Sequence, residues 1–476
     1  MRIVILGAGQ VGTSVAQSLV SESNDITVVD NNRERLENLQ VRLDLRTIVG
    51  NAILPSTLRD AGLADADMLI AVTQSDQTNL VACKLAHTLF NVPTRIARLR
   101  SPEYLDNPEL LGEANFAVNY ALCPEQVITD YIVKLVEFPE ALQVLSFANG
   151  RVALVGVKAY AGGLMVGKPI REMREHLGDN VDARISAIFR QDHPVTPTGD
   201  TIIEDGDEVF VLAADEHIRR VMVEMRRMTA PVKRVIIAGG GNVGLRVARM
   251  LEGKCAVKII ECNPERTQII ANLIGEGLVL LGDATDEDLL EQESIEETDL
   301  FLALTNDDED NIMSASLAKN MGCKRVLALI NRRVYADLVQ GGPIDIAISP
   351  ALVSIGDLLT HVRRGFVAKV HSLRRGAAEA IEIVVHGDQK SSRVVGRRVG
   401  ELPVIPGATL VAIVRDLDKL EDIAYAGMIM IKKKGHVVIA HKQEVIRSAD
   451  HVIVFCLNKK VVKKVEQLFQ VSVGFL

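Results

Sequence analysis

Two copies of one sequence pattern occupy this chain. Residues 3–12, an apolar run that ends in Gly-x-Gly-x-x-Gly, recur as residues 235–244, so that Gly7 corresponds to Gly239 at a spacing of 232 residues. Solenoid repeats have periods of only about 20–50 residues. A spacing of this length therefore indicates that a whole domain is duplicated within the 476 residues. The other pairs that match at this spacing are residues 50–52 with 282–284 and residues 69–76 with 301–308.

Short β-rich apolar runs alternate with helical patterns in the first copy. The runs are bounded by turn residues, as the strands of a buried parallel sheet are. Alternating strands and helices predict a doubly wound α/β fold with a parallel sheet in each copy. The predicted strands are residues 26–29, 47–49, 68–72 and 94–97, and the predicted helices include residues 11–19 and 78–89.

The glycine-rich turn of each copy follows an apolar strand and opens a helix. Its glycines allow a tight turn, close approach of the backbone to a phosphate, and close packing of helix on strand. The helix N-terminus then offers unpaired N–H groups to a phosphate. Asp30 ends the next strand, 23 residues after Gly7, and Glu261 stands at the same place in the second copy. A carboxylate there accepts hydrogen bonds from ribose hydroxyls and repels a 2′-phosphate, which favours NAD or another adenosine ligand over NADP. A glycine turn that serves packing alone is the alternative.

Further polar side chains are expected at the carboxyl ends of the strands, where ligands bind in open α/β sheets. Thr73 and Gln74 follow the fourth strand of the first copy, and Thr305 follows that of the second. Arg98 ends the fifth strand, where it is either a phosphate ligand or a solvated surface residue. The corresponding position in the second copy, 328 or 329, is not basic. The two sites should therefore differ in ligand preference.

A second, weaker similarity follows each copy. Strands outnumber helices there, which predicts a compact α+β module. Apolar residues at helical spacing after Cys123-Pro124 and after Ser349-Pro350 predict a connecting helix ahead of each module. Each helix is either the last helix of the sheet or a connector that also packs against a partner subunit. The matched segments are residues 163–173 with 392–402, 185–190 with 410–415 and 205–211 with 448–454.

Composition and spacing exclude several classes of function. The 54 Lys and Arg are outnumbered by 62 Asp and Glu, which gives a formal charge of −8, whereas non-specific nucleic-acid binding needs clustered cations. Ten His and six Cys show no metal-ligand spacing, and no catalytic constellation stands beside the glycine turns. No nucleic-acid partner, metal site or catalytic residue is therefore predicted. Without an apolar run of about 20 residues or a signal peptide, the chain is expected to be cytoplasmic and to have no membrane segment.

The tandem arrangement resembles the regulator-of-potassium-conductance family (RCK, or KTN). The resemblance covers nearly the whole chain as two pairs of a Rossmann-like domain and a small α+β module of the RCK C-terminal type. Asn51 stands where this family often has Asp. The residues that carry the resemblance are Gly7-Ala8-Gly9-Gln10-Val11-Gly12, Asp30, Gly50-Asn51-Ala52, Thr73-Gln74-Ser75-Asp76, Ile96-Ala97-Arg98 and their second-half copies.

The resemblance implies boundaries for these domains, with a junction at residues 228–231. The implied segments are the first RCK N-terminal domain, 1–120; a connecting helix, 121–140; the first RCK C-terminal module, 141–228; the second N-terminal domain, 232–349; a connecting helix, 350–366; and the second C-terminal module, 367–476.

The resemblance also implies a function. The N-terminal domains would bind NAD(H), and ATP or ADP, with phosphates on the glycine turn and Arg98 and ribose on Asp30 and Glu261. The implied cofactor-binding residues are Gly7, Ala8, Gly9, Gln10, Val11, Gly12, Asp30, Asn51, Thr73, Gln74, Arg98, Gly239, Gly240, Gly241, Asn242, Val243, Gly244, Glu261, Asp283 and Thr305.

Such proteins are regulators rather than enzymes. They assemble as rings, tetramers or alternatively dimers, on the cytoplasmic face of the inner membrane. There they gate a potassium transporter or channel subunit of the Trk type, and the connecting helices would transmit rotation between subunits. Two other functions stay open: an NAD-dependent oxidoreductase, and a nucleotide-sensing regulator of a different membrane transporter.

Overall fold

The first Rossmann-like domain contains a parallel sheet of strand order β3-β2-β1-β4-β5-β6. A computed structural model describes residues 1–20, 24–101, 103–178, 180–191, 193–227, 230–339, 342–363, 367–373, 378–417, 420–425, 428–433 and 435–471. The strands are β1 (Arg2–Leu6), β2 (Asp25–Asp30), β3 (Arg46–Val49), β4 (Met68–Ala71), β5 (Thr94–Arg98) and β6 (Tyr120–Leu122). The helices are α1 (Gln10–Val20), α2 (Arg33–Arg42), α3 (Pro55–Asp60), α4 (Asp76–Phe90), α5 (Glu103–Asp106) and α6 (Pro124–Glu137).

The first small module is built on an antiparallel sheet of order β10-β9-β11-β8-β7. Its strands are β7 (Ala141–Phe147), β8 (Val152–Lys158), β9 (Ala183–Arg190), β10 (His193–Val195) and β11 (Glu208–Ala214), and its helices are α7 (Met173–Leu177) and α8 (Ile218–Met225).

The second Rossmann-like domain repeats the parallel order as β14-β13-β12-β15-β16-β17. Its strands are β12 (Arg234–Ala238), β13 (Ala256–Glu261), β14 (Leu278–Leu281), β15 (Leu300–Ala303), β16 (Val326–Leu329) and β17 (Ile346–Ile348). Its helices are α9 (Asn242–Leu251), α10 (Pro264–Leu273), α11 (Glu287–Gln292), α12 (Asp308–Asn320), α13 (Arg333–Val339) and α14 (Pro350–Val362).

The second small module has an antiparallel sheet of order β18-β19-β24-β20-β23 and a separate hairpin of β21 and β22. Its strands are β18 (Val367–Leu373), β19 (Ala378–Val384), β20 (Ala408–Arg415), β21 (Leu420–Tyr425), β22 (Met428–Lys433), β23 (His436–Ile439) and β24 (His451–Cys456), and its helix is α15 (Lys459–Phe469).

The sequence-based fold class is confirmed. The predicted strands coincide with β2 to β5, and the predicted helices lie within α1 and α4. A helix lies within each segment predicted as a connecting helix, α6 in the first and α14 in the second, while the domain boundaries stay predictions. Residues 228 and 229 of the predicted junction, residues 364–366 of the second predicted connecting helix and the last five residues, 472–476, lie outside the described residues.

The chain divides into two compact units that each gather one kind of domain. The first unit contains both Rossmann-like domains, residues 1–130 and 233–358, and the second contains both small modules, residues 131–232 and 359–476. Every residue of β4 and of β15 is buried, as expected for central parallel strands that are covered by helices on both faces. The order of domains along the chain is thus not the order in which they pack.

In the second unit, the two small modules share an apolar core. Phe210 of β11 lies between Phe189 of β9 and Phe455 of β24, with ring centroids 5.8 and 6.4 Å away. Neither module completes this core by itself, because the core residues come from both sheets. Among the helices of the described residues, none has the length and the apolar character needed to cross a bilayer.

Candidate nucleotide-binding cleft

A cleft of about 1820 Å³ opens at the carboxyl ends of the parallel strands in the first unit. Residues of both Rossmann-like domains line it, including the loop after β1 and the loop after β12. The carboxyl edge of a parallel sheet is where ligands bind in open α/β folds, because the strand order reverses there and leaves a crevice. The two predicted sites therefore open into one space.

The first glycine loop has the geometry that its sequence requires. Gly7 has a φ of +105°, in the region that favours glycine. A Cβ atom on Gly12 would lie 1.9 Å from the carbonyl oxygen of Gly7, so this glycine lets α1 pack against the turn. A Cβ atom on Gly9 would meet no described atom within 4 Å, and Gly9 lines the cleft. Gly9 thus leaves room for a ligand where Gly12 leaves none.

The second loop repeats this division of roles with one change. Gly239 has a φ of +96°, and a Cβ atom on Gly244 would lie 2.0 Å from the Gly239 carbonyl oxygen. A Cβ atom on Gly240 would lie 2.1 Å from Cδ1 of Ile270, so Gly240 is packed against α10. Gly241 has open space above it, as Gly9 has.

Each predicted ribose carboxylate is fixed by two backbone donors. Oδ2 of Asp30 accepts a 2.6 Å hydrogen bond from the Ala8 N–H, and its Oδ1 accepts a 2.8 Å bond from the Asn32 N–H. Glu261 accepts the equivalent bonds from the N–H groups of Gly240 at 2.9 Å and Asn263 at 3.0 Å. A carboxylate oxygen has two lone pairs, so each keeps capacity for a ribose hydroxyl. The Ala8 and Gly240 N–H groups are engaged by these carboxylates.

A buried asparagine holds each threonine at the end of the fourth strand. Oδ1 of Asn79 accepts from the N–H of Thr73 at 3.0 Å and from its hydroxyl at 2.7 Å, while its Nδ2 donates to the Arg98 carbonyl at 2.9 Å. Asn311 makes the same set of bonds to Thr305 and to the carbonyl of Leu329. Both asparagines are completely buried. They were not predicted, although they recur at the spacing of 232 residues that revealed the duplication.

We call the part of the cleft that the first domain lines the first crevice, and the part that the second domain lines the second crevice. The first crevice holds a group of paired charges. Glu125, at the start of α6, accepts hydrogen bonds from Arg98 at 3.0 Å and from Arg100 at 3.2 Å, both through Oε1. The Glu125 side chain is only 9% exposed and that of Arg98 17%. Arg98 Nε is buried and has no hydrogen-bond partner among the described residues, so the guanidinium retains donor capacity. Arg98 is therefore a partly buried, paired cation.

Among the described residues of the second crevice, the positions of this group hold no charged side chain. The pairing of β4 with β5 and of β15 with β16 makes Leu329 the counterpart of Arg98, because Ala97 pairs with Ala71 as Ala328 pairs with Ala303. Asn331 replaces Arg100, since each donates its backbone N–H to the aspartate that begins the fourth helix, Asp76 or Asp308. Ala351 stands after Pro350 where Glu125 stands after Pro124.

Carboxylates stand in the second crevice where the first has neutral polar side chains. Asp283 replaces Asn51, Asp310 replaces Thr78, and Asp307 replaces Ser75 as the N-cap of the fourth helix. Incomplete solvation and then the nearby carboxylates of Asp307 and Asp283 raise the pKa of Asp310, although the residue is exposed. Hydrogen bonds from the backbone and the hydroxyl of Thr285 lower the pKa of Asp283.

The cleft brings together most of the predicted site residues and some that were not predicted. Within the described part of the chain, no group of three or more His, Cys, Asp or Glu is arranged to hold a metal ion. The predicted residues that line the cleft are Gly7, Ala8, Gly9, Gln10, Val11, Asp30, Asn51, Thr73, Gln74, Arg98, Gly239, Gly241, Asn242, Val243, Glu261, Asp283 and Thr305. The predicted residues outside its lining are Gly12, Gly240 and Gly244. The unpredicted charged residues in the lining are Arg35, Arg42, Arg100, Glu125, Arg266, Asp307 and Asp310.

A repeated Rossmann-like domain with a carboxylate-anchored glycine turn, followed each time by a small module, defines a class of tandem proteins with a nucleotide-binding type of fold. The TrkA-N domain family matches residues 3–120 and 235–350, and the TrkA-C domain family matches residues 154–225. The chain therefore belongs to the family of Trk system potassium uptake protein TrkA, which confirms the predicted family.

Relatives from three bacteria match over the full length. The Trk system potassium uptake proteins TrkA of Vibrio alginolyticus and Halomonas elongata are each 51% identical, over 477 and 475 residues. That of Haemophilus influenzae is 47% identical over 477 residues. In all three, the match covers 100% of this chain and 100% of the relative.

Solved structures share the fold at low sequence identity. The GsuK RCK domain has a TM-score of 0.60 at 18% identity, covering 98% of this chain and 94% of that one. The GsuK channel bound to NAD has a TM-score of 0.59 at 17% identity, covering 98% and 78%. These likenesses confirm the predicted RCK-type fold.

Proposed function

We propose that this chain is the regulatory subunit of a Trk-type potassium uptake system and that nucleotides bound in its Rossmann-like domains control a membrane potassium transporter. The full-length match to relatives named as potassium uptake proteins supports the assignment. The observation that carries the nucleotide part is the cleft, into which two glycine turns and two backbone-anchored carboxylates converge.

The ligand that the first crevice fits best is NAD(H), with ATP or ADP as adenosine ligands of the same kind. Asp30 holds the ribose hydroxyls, and the open position above Gly9 receives the phosphates at the start of α1. Arg98 and Arg100, at and just after the end of β5, supply positive charge in the crevice lining. A 2′-phosphate on the ribose meets the Asp30 carboxylate, so NADP is disfavoured.

In the second crevice, the same roles fall to Glu261 and to the open position above Gly241. The nearby carboxylates of Asp283 and Asp310 make this crevice unfavourable for the terminal phosphates of ATP. The ligand preference of the two crevices therefore differs. The predicted site residues are retained in this proposal, with Gly12, Gly240 and Gly244 supporting the turns.

The nucleotide acts by linkage: it shifts the gate by as much as its affinity differs between two conformations of the assembly. A full switch from about 1:99 to 99:1 needs about 5.5 kcal/mol. Each chain has two crevices and the ring contains several chains, so each bound nucleotide needs to contribute only a fraction of this free energy. The proposal includes assembly as a tetrameric ring, or alternatively a dimer, on the cytoplasmic face of the inner membrane. It also includes the absence of enzymatic turnover and the domain boundaries predicted from the sequence.

Calorimetric titration of the full chain with NADH, NAD, ATP and ADP tests the nucleotide sites, with NADPH as the control. We expect the first four to bind with different affinities and NADPH to bind more weakly. The variant Asp30→Ala should weaken binding at the first crevice about tenfold, since hydrogen bonds to a charged group contribute about 1.5–3 kcal/mol. Glu261→Ala is the matched variant for the second crevice.

Potassium flux through a Trk-type transporter reconstituted with this chain then tests the regulatory role. We expect flux to change when a nucleotide that binds in the calorimeter is added. An oxidoreductase would instead consume NADH in the presence of a substrate and would have no effect on flux. Absence of binding by all five nucleotides would overturn the proposal.

A further inference from the structure

Arg246 ties the helix of the second glycine turn to the corner of the first crevice. It lies on α9, and its Nη2 donates a 3.0 Å hydrogen bond to the carbonyl oxygen of Arg100. Its Nη1 donates to the side-chain oxygen of Gln126 at 2.9 Å and also faces Sγ of Cys123 at 3.8 Å. All of these residues belong to the first compact unit.

The residues that Arg246 holds are the ones that organise the cations of the first crevice. Arg100 bonds through its side chain to Glu125 and through its backbone N–H to the carboxylate of Asp76. Gln126 is the next residue after Glu125 on α6. A displacement of Arg246 therefore acts on both sides of the Arg98–Glu125–Arg100 group.

The path from the second crevice to Arg246 is short and stiff. α9 begins at Asn242, which lines the cleft, and Gly244 packs against the Gly239 carbonyl oxygen. Arg246 lies four residues after Asn242, about 6 Å along the helix axis at 1.5 Å per residue. A phosphate bound at the start of α9 thus acts on a single rigid turn that ends at Arg246.

The contact is structurally asymmetric, because it starts from α9 and has no counterpart on α1. The residue of α1 that corresponds to Arg246 is Ser14, whose side chain is much shorter than that of arginine. Another contact joins the two domains: the Tyr120 hydroxyl donates to the Asp357 carboxylate on α14. Tyr120 lies on β6, an edge strand three strands from β1, whereas Arg246 lies on the helix that begins at the second glycine turn.

We propose that Arg246 is a positioning residue that couples the two nucleotide sites, so that occupation of the second glycine turn orders the Arg98–Glu125–Arg100 group of the first site. This inference rests on the proposed nucleotide-binding function and deepens it. By linkage, the coupling is reciprocal, and the ligand of the first site strengthens binding at the second by the same factor.

Hydrogen–deuterium exchange of the full chain tests the coupling. The first site is weakened by Asp30→Ala, and NADH is added at a concentration that calorimetry shows to fill the second site while leaving the weakened first site largely empty. In this background we expect slower exchange in residues 239–245, which report occupation of the second site. We also expect exchange in residues 98–101 and 123–130 to slow about fivefold or more, the lower end of common allosteric couplings.

The variant Arg246→Gln, in the same background, should keep the protection of residues 239–245 and lose the ligand-induced change at residues 98–101 and 123–130. Arg246→Lys, which retains a donor for one acceptor, should restore part of the change. Arg249→Gln is the control, because Arg249 is an exposed residue of the same helix and its loss removes the same charge.

The outcomes are distinguishable. Protection at residues 239–245 without any change at residues 98–101 overturns the coupling and leaves the nucleotide site intact. A ligand-induced change that persists in Arg246→Gln also overturns it. No protection at residues 239–245 means that the second nucleotide site itself fails, and the coupling fails with it.

Discussion

The two Rossmann-like domains have the same framework and opposite charge in the crevice. Both have the same strand order, a glycine with positive φ after the first strand, and an asparagine-held threonine after the fourth. Among the described cleft residues, the first domain contributes four arginines and two carboxylates, whereas the second contributes one arginine and four carboxylates. The arginines are Arg35, Arg42, Arg98 and Arg100 in the first domain and Arg266 in the second, and the carboxylates are Asp30 and Glu125 in the first and Glu261, Asp283, Asp307 and Asp310 in the second.

The difference shows which parts of the site are set by packing and which are not. A side chain on Gly12 or Gly244 collides with a carbonyl oxygen about 2 Å away, and no neighbouring side chain can move to relieve a backbone contact. By contrast, residues that face the cleft meet solvent or ligand, so their charge can change without disturbing the sheet. The two copies therefore keep similar backbone frameworks, while the charge of their crevices differs and favours different ligands.

The largest effect that tests this comparison is expected at the buried glycines. Gly12→Val and Gly244→Val should each lower the free energy of unfolding by about 3 kcal/mol, the upper range for overpacking a close-packed site. The change in the free energy of unfolding is measured by urea denaturation, with hydrogen exchange as the probe that reports on each domain separately. The matched controls are Gly9→Ala and Gly241→Ala, which have open space and should cost far less. If only one of the two valine variants lost stability, the two glycines would not have the same packing role.

A smaller effect is expected when the first crevice is given the residues of the second. Arg98→Leu should weaken NADH binding at the first site about tenfold, because it removes a charge-assisted hydrogen-bond donor. It should also destabilise the fold, since the buried Glu125 loses one of its two partners.

The double variant Arg98→Leu/Glu125→Ala reproduces Leu329 and Ala351 and separates the two roles. It should recover stability, as measured by urea denaturation, but not affinity, as measured by calorimetry. If affinity recovered together with stability, Arg98 would serve the fold rather than the phosphate.

The smallest expected effect is a pH dependence of opposite sign for two carboxylates of the second crevice. The pKa of Asp283 is lowered in the folded chain, so its stabilising contribution is present at neutral pH and is lost as the pH falls through that lowered value. The pKa of Asp310 is raised, so the cost of its charge is present at neutral pH and is relieved as the pH falls through the raised value.

Asp283→Asn should therefore lower the urea midpoint at pH 7, and Asp310→Asn should leave it unchanged or raise it slightly. The Asp310→Asn difference should disappear as the pH falls towards about 4, the ordinary value for Asp, whereas the Asp283→Asn difference should shrink only below about pH 4. Urea midpoints measured at a series of pH values check this, and shifts of the same sign would contradict the assignment of the two environments.

The sequence predicted those residues of the candidate site whose role depends on their position next to a strand or turn. The glycine turn, the carboxylate at the end of the second strand and the threonine after the fourth occupy fixed places along the chain, and the structure brings most of them to the cleft. Glu125 was missed because it is 27 residues from Arg98, and no spacing rule joins them. Asn79 could have been found by extending the comparison of the two copies beyond residue 76.

The sequence by itself determined the duplication, the alternation of strands and helices, and the position of each glycine turn, because these depend on residues that are close together along the chain. Only the tertiary structure decided that the two crevices open into one cleft, that Arg98 is paired with Glu125, and that the two small modules share a core. Those features depend on side chains separated by tens to hundreds of residues, and such contacts follow from which surfaces pack together rather than from any period in the sequence.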